Sequence, residues 1–529
     1  MPDSAQPARR SRWRANLFRI TLPICVVVAV VGIVRPDALA DTAGAITSAA
    51  FQALDWFFMA LVSAFLVFCL WLAFGRHGGV KLGADDEKPE FSTVSWIAML
   101  FAAGMGVGLL FWGVAEPVTH FSGALGTEAG TPRAARHATV ITAFHWGLHA
   151  WAVYCVAGLV LAYFGFRRGV PYLPGAPLRD AFGKRPWVAP VAALADGVAV
   201  LAIAFGVAGS MGMGIFQLHT GLHVLWGVPL ESTLVSGIIL VVLVIAYTAS
   251  ASTSLDKGIQ WLSNINMALA LLLMLFVLGA GPTAHLLRGF VTAVGDYSAA
   301  LVGLSLRLYP YNEARGWLET WTLTYFLWWI AWAPFVGVFI ARISRGRTIK
   351  EFVLGVLFVP TAFSLLWFSI FGGTGLDEEM NGAGGIARLV REDVSVALFS
   401  LFDRLPLSGL LSVTALLLVF IFLVTSVDSA TFVLGMLTSR GSLNPPTRRK
   451  LAWGLILGAL GGALMLSGSI DVVRAVAVLG AIPFAFIMLL QVAALLRVFA
   501  DERKRPPDRA QATAVEDGPA SAAEEAKTP

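Results

Sequence analysis

Charge is what this chain has least of. Only 13% of its 529 residues are Asp, Glu, Lys or Arg, about half the share carried by a water-soluble domain. With 57% hydrophobic residues, that shortage excludes an ordinary soluble globule, because no single core facing water hides so much apolar surface. Cysteine is equally sparse. Cys25, Cys69 and Cys155 lie inside apolar runs with no CxxC or Cys/His spacing, so neither a disulfide framework nor a cysteine metal centre is expected. The net charge is +5, yet no basic stripe is interleaved with aromatics, and a nucleic-acid partner is not expected. Protease dyads and membrane zinc motifs are missing too, so the chain is not read as an enzyme.

What the chain has in abundance is long apolar sequence. Crossing hydrocarbon takes roughly 20 apolar residues in helix, since lipid offers the backbone no partner. Such runs predict an all-α membrane protein with about twelve spans, at 17–35, 51–74, 95–114, 138–165, 188–218, 231–250, 261–280, 317–341, 352–372, 407–438, 450–467 and 471–498. Arg9, Arg10, Arg12 and Arg14 precede the first run, and Ala38-Leu39-Ala40 follows it, as in a signal peptide. That run exceeds a signal core of roughly 7–15 residues, so a retained helix is expected.

Loop charge sets the expected orientation. Arg167, Arg168, Arg179, Lys184 and Arg185 share one connection, Arg342, Arg345, Arg347 and Lys350 a second, and Arg440, Arg448, Arg449 and Lys450 a third. The intervening loops are poor in Lys and Arg, and 373–406 is acidic. The positive-inside rule then places both termini in the cytoplasm of a bacterial inner-membrane protein. The expected organisation is a basic tail at 1–16, two leading spans and a loop at 17–94, a first repeat at 95–280, an interfacial amphipathic segment at 281–316, a second repeat at 317–498, and a cytoplasmic tail at 499–529. That tail reads as disordered, and Arg503-Lys504-Arg505 suits anionic lipid heads. Two spans are expected to be interrupted. The third holds Gly104-Met105-Gly106-Val107-Gly108, and the eighth holds Pro334 and Gly337. They are five spans apart, and an odd repeat of five helices inverts its second copy.

Four segments carry a family resemblance. LGADDEKPEFSTVSWIAMLFAAGMGVGLLFWGVAEP (Leu82 to Pro117), HWGLHAWAVY (His145 to Tyr154), WWIAWAPFVGVFIARISRGRTIKEF (Trp328 to Phe352) and VTSVDSATFVLGM (Val424 to Met436) resemble the third, fourth, eighth and tenth spans of the betaine–choline–carnitine transporters. The resemblance covers roughly 17–498. It implies two inverted five-helix repeats after two leading helices, as in the LeuT-like fold of sodium-coupled amino-acid transporters. It also implies secondary transport of a quaternary-ammonium solute and, as in many members, a homotrimer in the membrane.

A trimethylammonium group has no N–H to donate, but aromatic faces attract it, each contributing about 0.5–2 kcal/mol. Trp146, Trp151 and Tyr154 fall within one broad arc of a helix, and Trp329 and Trp332 share a face three residues apart. By resemblance Trp146, Trp151, Tyr154 and Trp329 match the family's cage, with Trp328 and Trp332 lining the path. A zwitterion's carboxylate would meet the amides freed around Gly104, Met105, Gly106 and Gly108. Phe422, Thr425 and Ser426 lie on one face and suit a small hard cation, sodium by chemistry and by family; resemblance adds backbone oxygens of Ala102, Met105 and Phe422. Thr and Ser in spans also commonly bond back to their own helix. A second family sodium site is not expected, because Ile203 and Val207 stand where sodium-coupled members tend to have threonines.

Choline-preferring, proton-coupled members tend to have Asp where this chain has Gly108, which favours a zwitterion such as glycine betaine. Choline or carnitine import, exchange, and ectoine, proline or sulfonium transport are the alternatives. His145 and His149 have metal-compatible spacing but no third ligand in sequence. Asp55, Asp196 and Asp428 fall within spans, where an acid is either functional or bonded to a neighbouring helix. Beyond the coupling ion, no cofactor is expected.

Overall fold

The computed structural model describes residues 17–104, 106–123, 125–252, 256–311 and 314–503. Among these residues the chain is helical, with one isolated bridge, Lys81 to Thr348, and no strand. Eleven helices are long and apolar enough to cross a membrane, and a bent pair brings the number to twelve. In order these are Leu17–Val34, Pro36–Phe74, the pair Thr93–Ala102 and Val107–Ser122, Pro132–Arg167, Val188–Trp226, Thr233–Ala251, Leu262–Ala280, Arg315–Ile343, Ile349–Asn381, Ser408–Thr438, Thr447–Leu466 and Ile470–Glu502. Each expected span is present. The protein is a multi-pass helical membrane protein.

Burial sorts the spans into layers. The fourth is enclosed along almost its whole length, whereas the first, sixth and seventh are mostly exposed and show apolar residues such as Val27, Ile245 and Leu272 to what must be lipid. The eighth span lies along the fourth, brought close by small residues. A Cβ on Gly337 would come 2.9 Å from Ala157 Cβ, so glycine lets the two backbones approach.

Several boundaries differ from the sequence reading, each for a local reason. The second helix begins at Pro36, not near 51, because proline suits a first helical turn and the Ala-rich stretch after it holds no second proline. The third span bends by 63° between Ala102 and Val107, which agrees with the expected interruption. Its second half continues past Pro117 to Ser122, although Pro117 reads as a stop. The eighth span corrects an expectation. It runs as unbroken α-helix from Thr324 to Ile343 through both Pro334 and Gly337, with a π-helical turn upstream at Glu319–Leu323. Conversely, the fourth span is broken at Gly147, between helices Pro132–Trp146 and Leu148–Ala162.

The segment expected to be interfacial contains a helix, Thr283–Ser305, with Leu286, Ala293, Tyr297 and Leu304 buried and Leu287, Val291 and Val302 exposed. Arg136 donates to both carboxylate oxygens of Asp296 at 2.9 and 2.7 Å, tying this helix to the fourth span. At the end of the bundle carrying the basic loops, Arg345 pairs with Glu87 at 2.5 Å and Arg167 with Asp85 at 2.7 Å. The Arg167 guanidinium holds the Asp85 carboxyl below its usual range. The tails 1–16 and 504–529, with the proposed lipid contact of Lys504 and Arg505, lie outside the described residues.

Candidate functional site

The break at Gly147 builds the centre of the site. Gly147 has φ −97° and ψ −136°, and a Cβ there would lie 2.4 Å from the Ala143 carbonyl oxygen and 2.8 Å from the Tyr297 hydroxyl. The Leu148 N–H, freed by the break, donates to that hydroxyl at 3.0 Å. The indole N–H of Trp329 donates to the His145 carbonyl at 2.9 Å, so the backbone interruption anchors a tryptophan from the eighth span. Trp146 therefore ends one helix while Trp151 and Tyr154 belong to the next. The single helical arc expected for these three does not exist.

Tertiary packing brings the rings together nonetheless. Trp146 meets Trp329 edge-on with centroids 5.0 Å apart, Tyr154 meets Trp329 at 6.1 Å, and Trp151 meets Tyr154 at 5.3 Å. Two rings absent from the sequence reading complete the group. Tyr325 stacks on Trp329 at 5.8 Å and Phe368 stands 5.3 Å from Trp146. Trp328 is buried but makes none of these ring contacts among the described residues. Trp332 lies instead against the fifth span, where a Cβ on Gly206 would come 3.1 Å from its ring, and its buried indole nitrogen has no partner among the described residues.

The broken third span closes the group from another side. Helix Val107–Ser122 starts after Gly106 without a side-chain cap, and Leu109 N–H bonds back to Gly106 at 3.1 Å. First-turn N–H groups of an uncapped helix carry partial positive charge. A Cβ on Gly108 would sit 2.9 Å from Cη2 of Trp146, so glycine at 108 makes room for the indole. Gly104 ends the first half of the span; Met105 lies outside the described residues, and with it one expected oxygen ligand.

Beneath the rings lies a buried carboxylate. Glu116 is fully enclosed. Its Oε2 accepts from Trp146 Nε1 at 2.7 Å and from the Tyr325 hydroxyl at 2.6 Å, while Oε1 faces His145 Nδ1 at 2.6 Å. An unpaired buried carboxylate would cost several kcal/mol, and each of these charge-assisted bonds returns about 1.5–3 kcal/mol. Glu116 thus fixes two aromatic members at once. Sequence reading missed it because the third span was ended at 114; an acid one turn inside a span is the signal that would have found it.

The remaining polar expectations sort differently. His145 and His149 diverge at the Gly147 break. His149 Nε2 pairs with Ser305 Oγ at 3.0 Å, so the two do not form a shared site. Asp55 pairs with Arg315 at 3.1 Å, Asp196 accepts from Gly175 N–H and Arg179, and Asp428 accepts from Ser250 at 3.3 Å. All three bond to neighbouring segments. Thr425 Oγ1 donates to the carbonyls of Ile421 at 2.9 Å and Phe422 at 3.3 Å, beside half-buried Ser426 in an unbroken helix. Ala102 is exposed at the end of the first half of the third span. Ile203 and Val207 are buried and carry no oxygen in their side chains.

A cavity of about 790 Å³ opens at the end of the bundle opposite the basic loops, and reaches Trp112, Trp321 and Arg474. The Arg474 guanidinium lies over the rings of Trp112 and Trp321, at 4.5 and 4.8 Å. From its floor, Trp321, Tyr325 and Trp329, four residues apart on one helix face, stack downward at 6.2 and 5.8 Å.

Residues 16–504 match the model of the betaine/carnitine/choline family of transporters. The chain is 43% identical over 492 residues to the glycine betaine transporter OpuD of Bacillus subtilis, covering 93% of this chain and 95% of that one. It is 40% identical over 498 residues to an ectoine/hydroxyectoine transporter of Virgibacillus pantothenticus, covering 94% and 98%. A glycine betaine transporter of Acinetobacter baylyi is 37% identical over 492 residues, covering 93% and 74%. With a family match spanning nearly the whole sequence and relatives alike from end to end, this chain belongs to the betaine/carnitine/choline transporter family, and is a transporter rather than an enzyme.

Proposed function

We propose that the protein imports glycine betaine by sodium-coupled symport across a bacterial inner membrane, with both termini in the cytoplasm. The observation that carries this reading is the convergence of Trp146, Tyr154 and Trp329 beside the uncapped start of helix Val107–Ser122. Aromatic faces suit the trimethylammonium end of the solute, and first-turn amides suit its carboxylate. Relatives named as glycine betaine transporters support the choice of solute. Trp151 borders the cage through Tyr154, whereas Trp328 and Trp332 are kept outside it. The coupling sodium is assigned to Thr425, Ser426 and the carbonyls of Ala102, Met105 and Phe422, and the assembly to a homotrimer in lipid.

The ectoine/hydroxyectoine relative favours ectoine as a second substrate, since it too is a zwitterion, with a delocalised amidinium in place of the trimethylammonium beside its carboxylate. The test is uptake of radiolabelled solute into proteoliposomes. Inward sodium should drive accumulation of betaine, with ectoine competing and choline competing poorly. Equal accumulation with and without the gradient would reject the coupling, and preferred accumulation of choline would reject the zwitterion.

A further inference from the structure

Glu116, His120 and His145 form a buried cluster whose chemistry the transport reading does not fully use. Glu116 and His120 are one turn apart on the second half of the third span, and His145 faces them from the fourth. All three are buried, and one ligand atom from each lies within 4.8 Å of the others. Glu116 Oε1 is 2.6 Å from His145 Nδ1 and 3.5 Å from His120 Nε2. His120 is 3% exposed, and its Nε2 makes no hydrogen bond to any described group although it points at the carboxylate. Beyond it, His145 Nε2 lies 2.9 Å from Thr322 Oγ1.

We infer that Glu116, His120 and His145 form an inhibitory binding site for a transition-metal dication such as Zn2+. Two imidazoles and one carboxylate are a donor set for zinc, whereas Mg2+ and Ca2+ prefer all-oxygen shells. Ligand atoms on tetrahedral zinc stand about 3.3 Å apart, so the cluster needs only side-chain adjustment of a few tenths of an ångström to about 1.5 Å. Binding through His145 Nδ1 displaces any proton there and leaves Nε2–H donating to Thr322, the outer-sphere contact that orients a ligating imidazole. The fourth position is left to water. Access runs from the cavity, whose lining residue Trp321 lies against His120 with centroids 4.5 Å apart. A bound ion would tie the third span to the fourth. Because Glu116 also holds Trp146 and Tyr325, it would fix the cage rings with them.

The test begins with the purified full-length protein in detergent, stripped with chelator and dialysed against micromolar Zn2+. This step needs no solute, so its outcome is separate from the betaine assignment. One Zn2+ per chain is expected. Affinity should fall at least about tenfold in His120→Asn and about 10- to 100-fold in Thr322→Val, which removes the outer-sphere partner. Surface histidines that bind zinc would leave both variants like the wild type, and that result overturns the site. Should His120→Asn prove unstable, the Zn2+-induced rise in melting temperature is compared between wild type and Thr322→Val, and an equal rise overturns it. In proteoliposomes, Zn2+ added on the cavity side should lower solute uptake and chelator should restore it, while Mg2+ has no effect. Uptake unaffected by saturating zinc would overturn inhibition.

Discussion

At the scale of single residues, the proposed cage depends on one tryptophan held by another helix's backbone. Trp329 contacts Trp146, Tyr154 and Tyr325, and its N–H is fixed by the His145 carbonyl. Trp329→Leu removes one aromatic face, about 0.5–2 kcal/mol, so betaine affinity should fall about 2- to 30-fold. Titration of the purified protein with betaine measures this, and an unchanged affinity takes Trp329 out of the cage. Tyr325→Phe leaves the stack but removes a donor from Glu116. A lost bond to a buried charge costs about 1.5–3 kcal/mol, so the melting temperature should drop by about 1–3 degrees in a chain of this size. Gly108→Asp forces side-chain atoms into the space of the Trp146 indole, and should abolish betaine binding rather than convert the site to choline. Choline uptake by that variant would show that the pocket can rearrange. The tryptophans of the proposed cage were named from the sequence, and packing brings Trp146, Trp151 and Trp329 together around Tyr154 while leaving Trp328 and Trp332 outside. Their keystone was not legible there, because Glu116 looked like the far side of a span boundary.

At the scale of elements, the breaks fall where backbone, not composition, requires them. The fourth span is broken at Gly147, where only glycine fits because a side chain in that geometry would collide with Ala143 and Tyr297, whereas Pro334 sits in a continuous helix. A proline withholds a single N–H, and a helix enclosed by neighbours absorbs that loss with slight local adjustment. Pro334→Ala should therefore leave betaine uptake within about twofold of wild type, while Gly147→Ala should reduce it sharply. Initial uptake rates decide this. A severe defect in Pro334→Ala with normal Gly147→Ala would reverse the assignment of the breaks. Proline and closely spaced glycine are signals of unequal value. Of the two interruptions expected from sequence, the one at the third span, where Gly106 lies at the 63° bend, coincides with its glycine pattern, and the one at Pro334 and Gly337 does not.

For the whole molecule, loop charge and helix packing together set a testable orientation. The basic loops gather at one end and the cavity opens at the other. The native cysteines are buried, so introduced cysteines can be labelled against a low background. Glu128→Cys should react with a membrane-impermeant maleimide in intact cells, and Ser442→Cys only after permeabilisation. The reverse pattern would invert the proposed topology.

Twelve apolar runs, their charged loops and four motifs determined class, span order and family without any contact being known, because hydrocarbon enforces helix on any sufficiently long apolar segment. What tertiary structure alone decided is which side chains meet. Glu116 and Tyr325 are 209 residues apart and Trp329 and His145 are 184, separations across which local pattern carries no information. The site is assembled by hydrogen bonds between helices distant in the chain, and only the packed bundle supplies them.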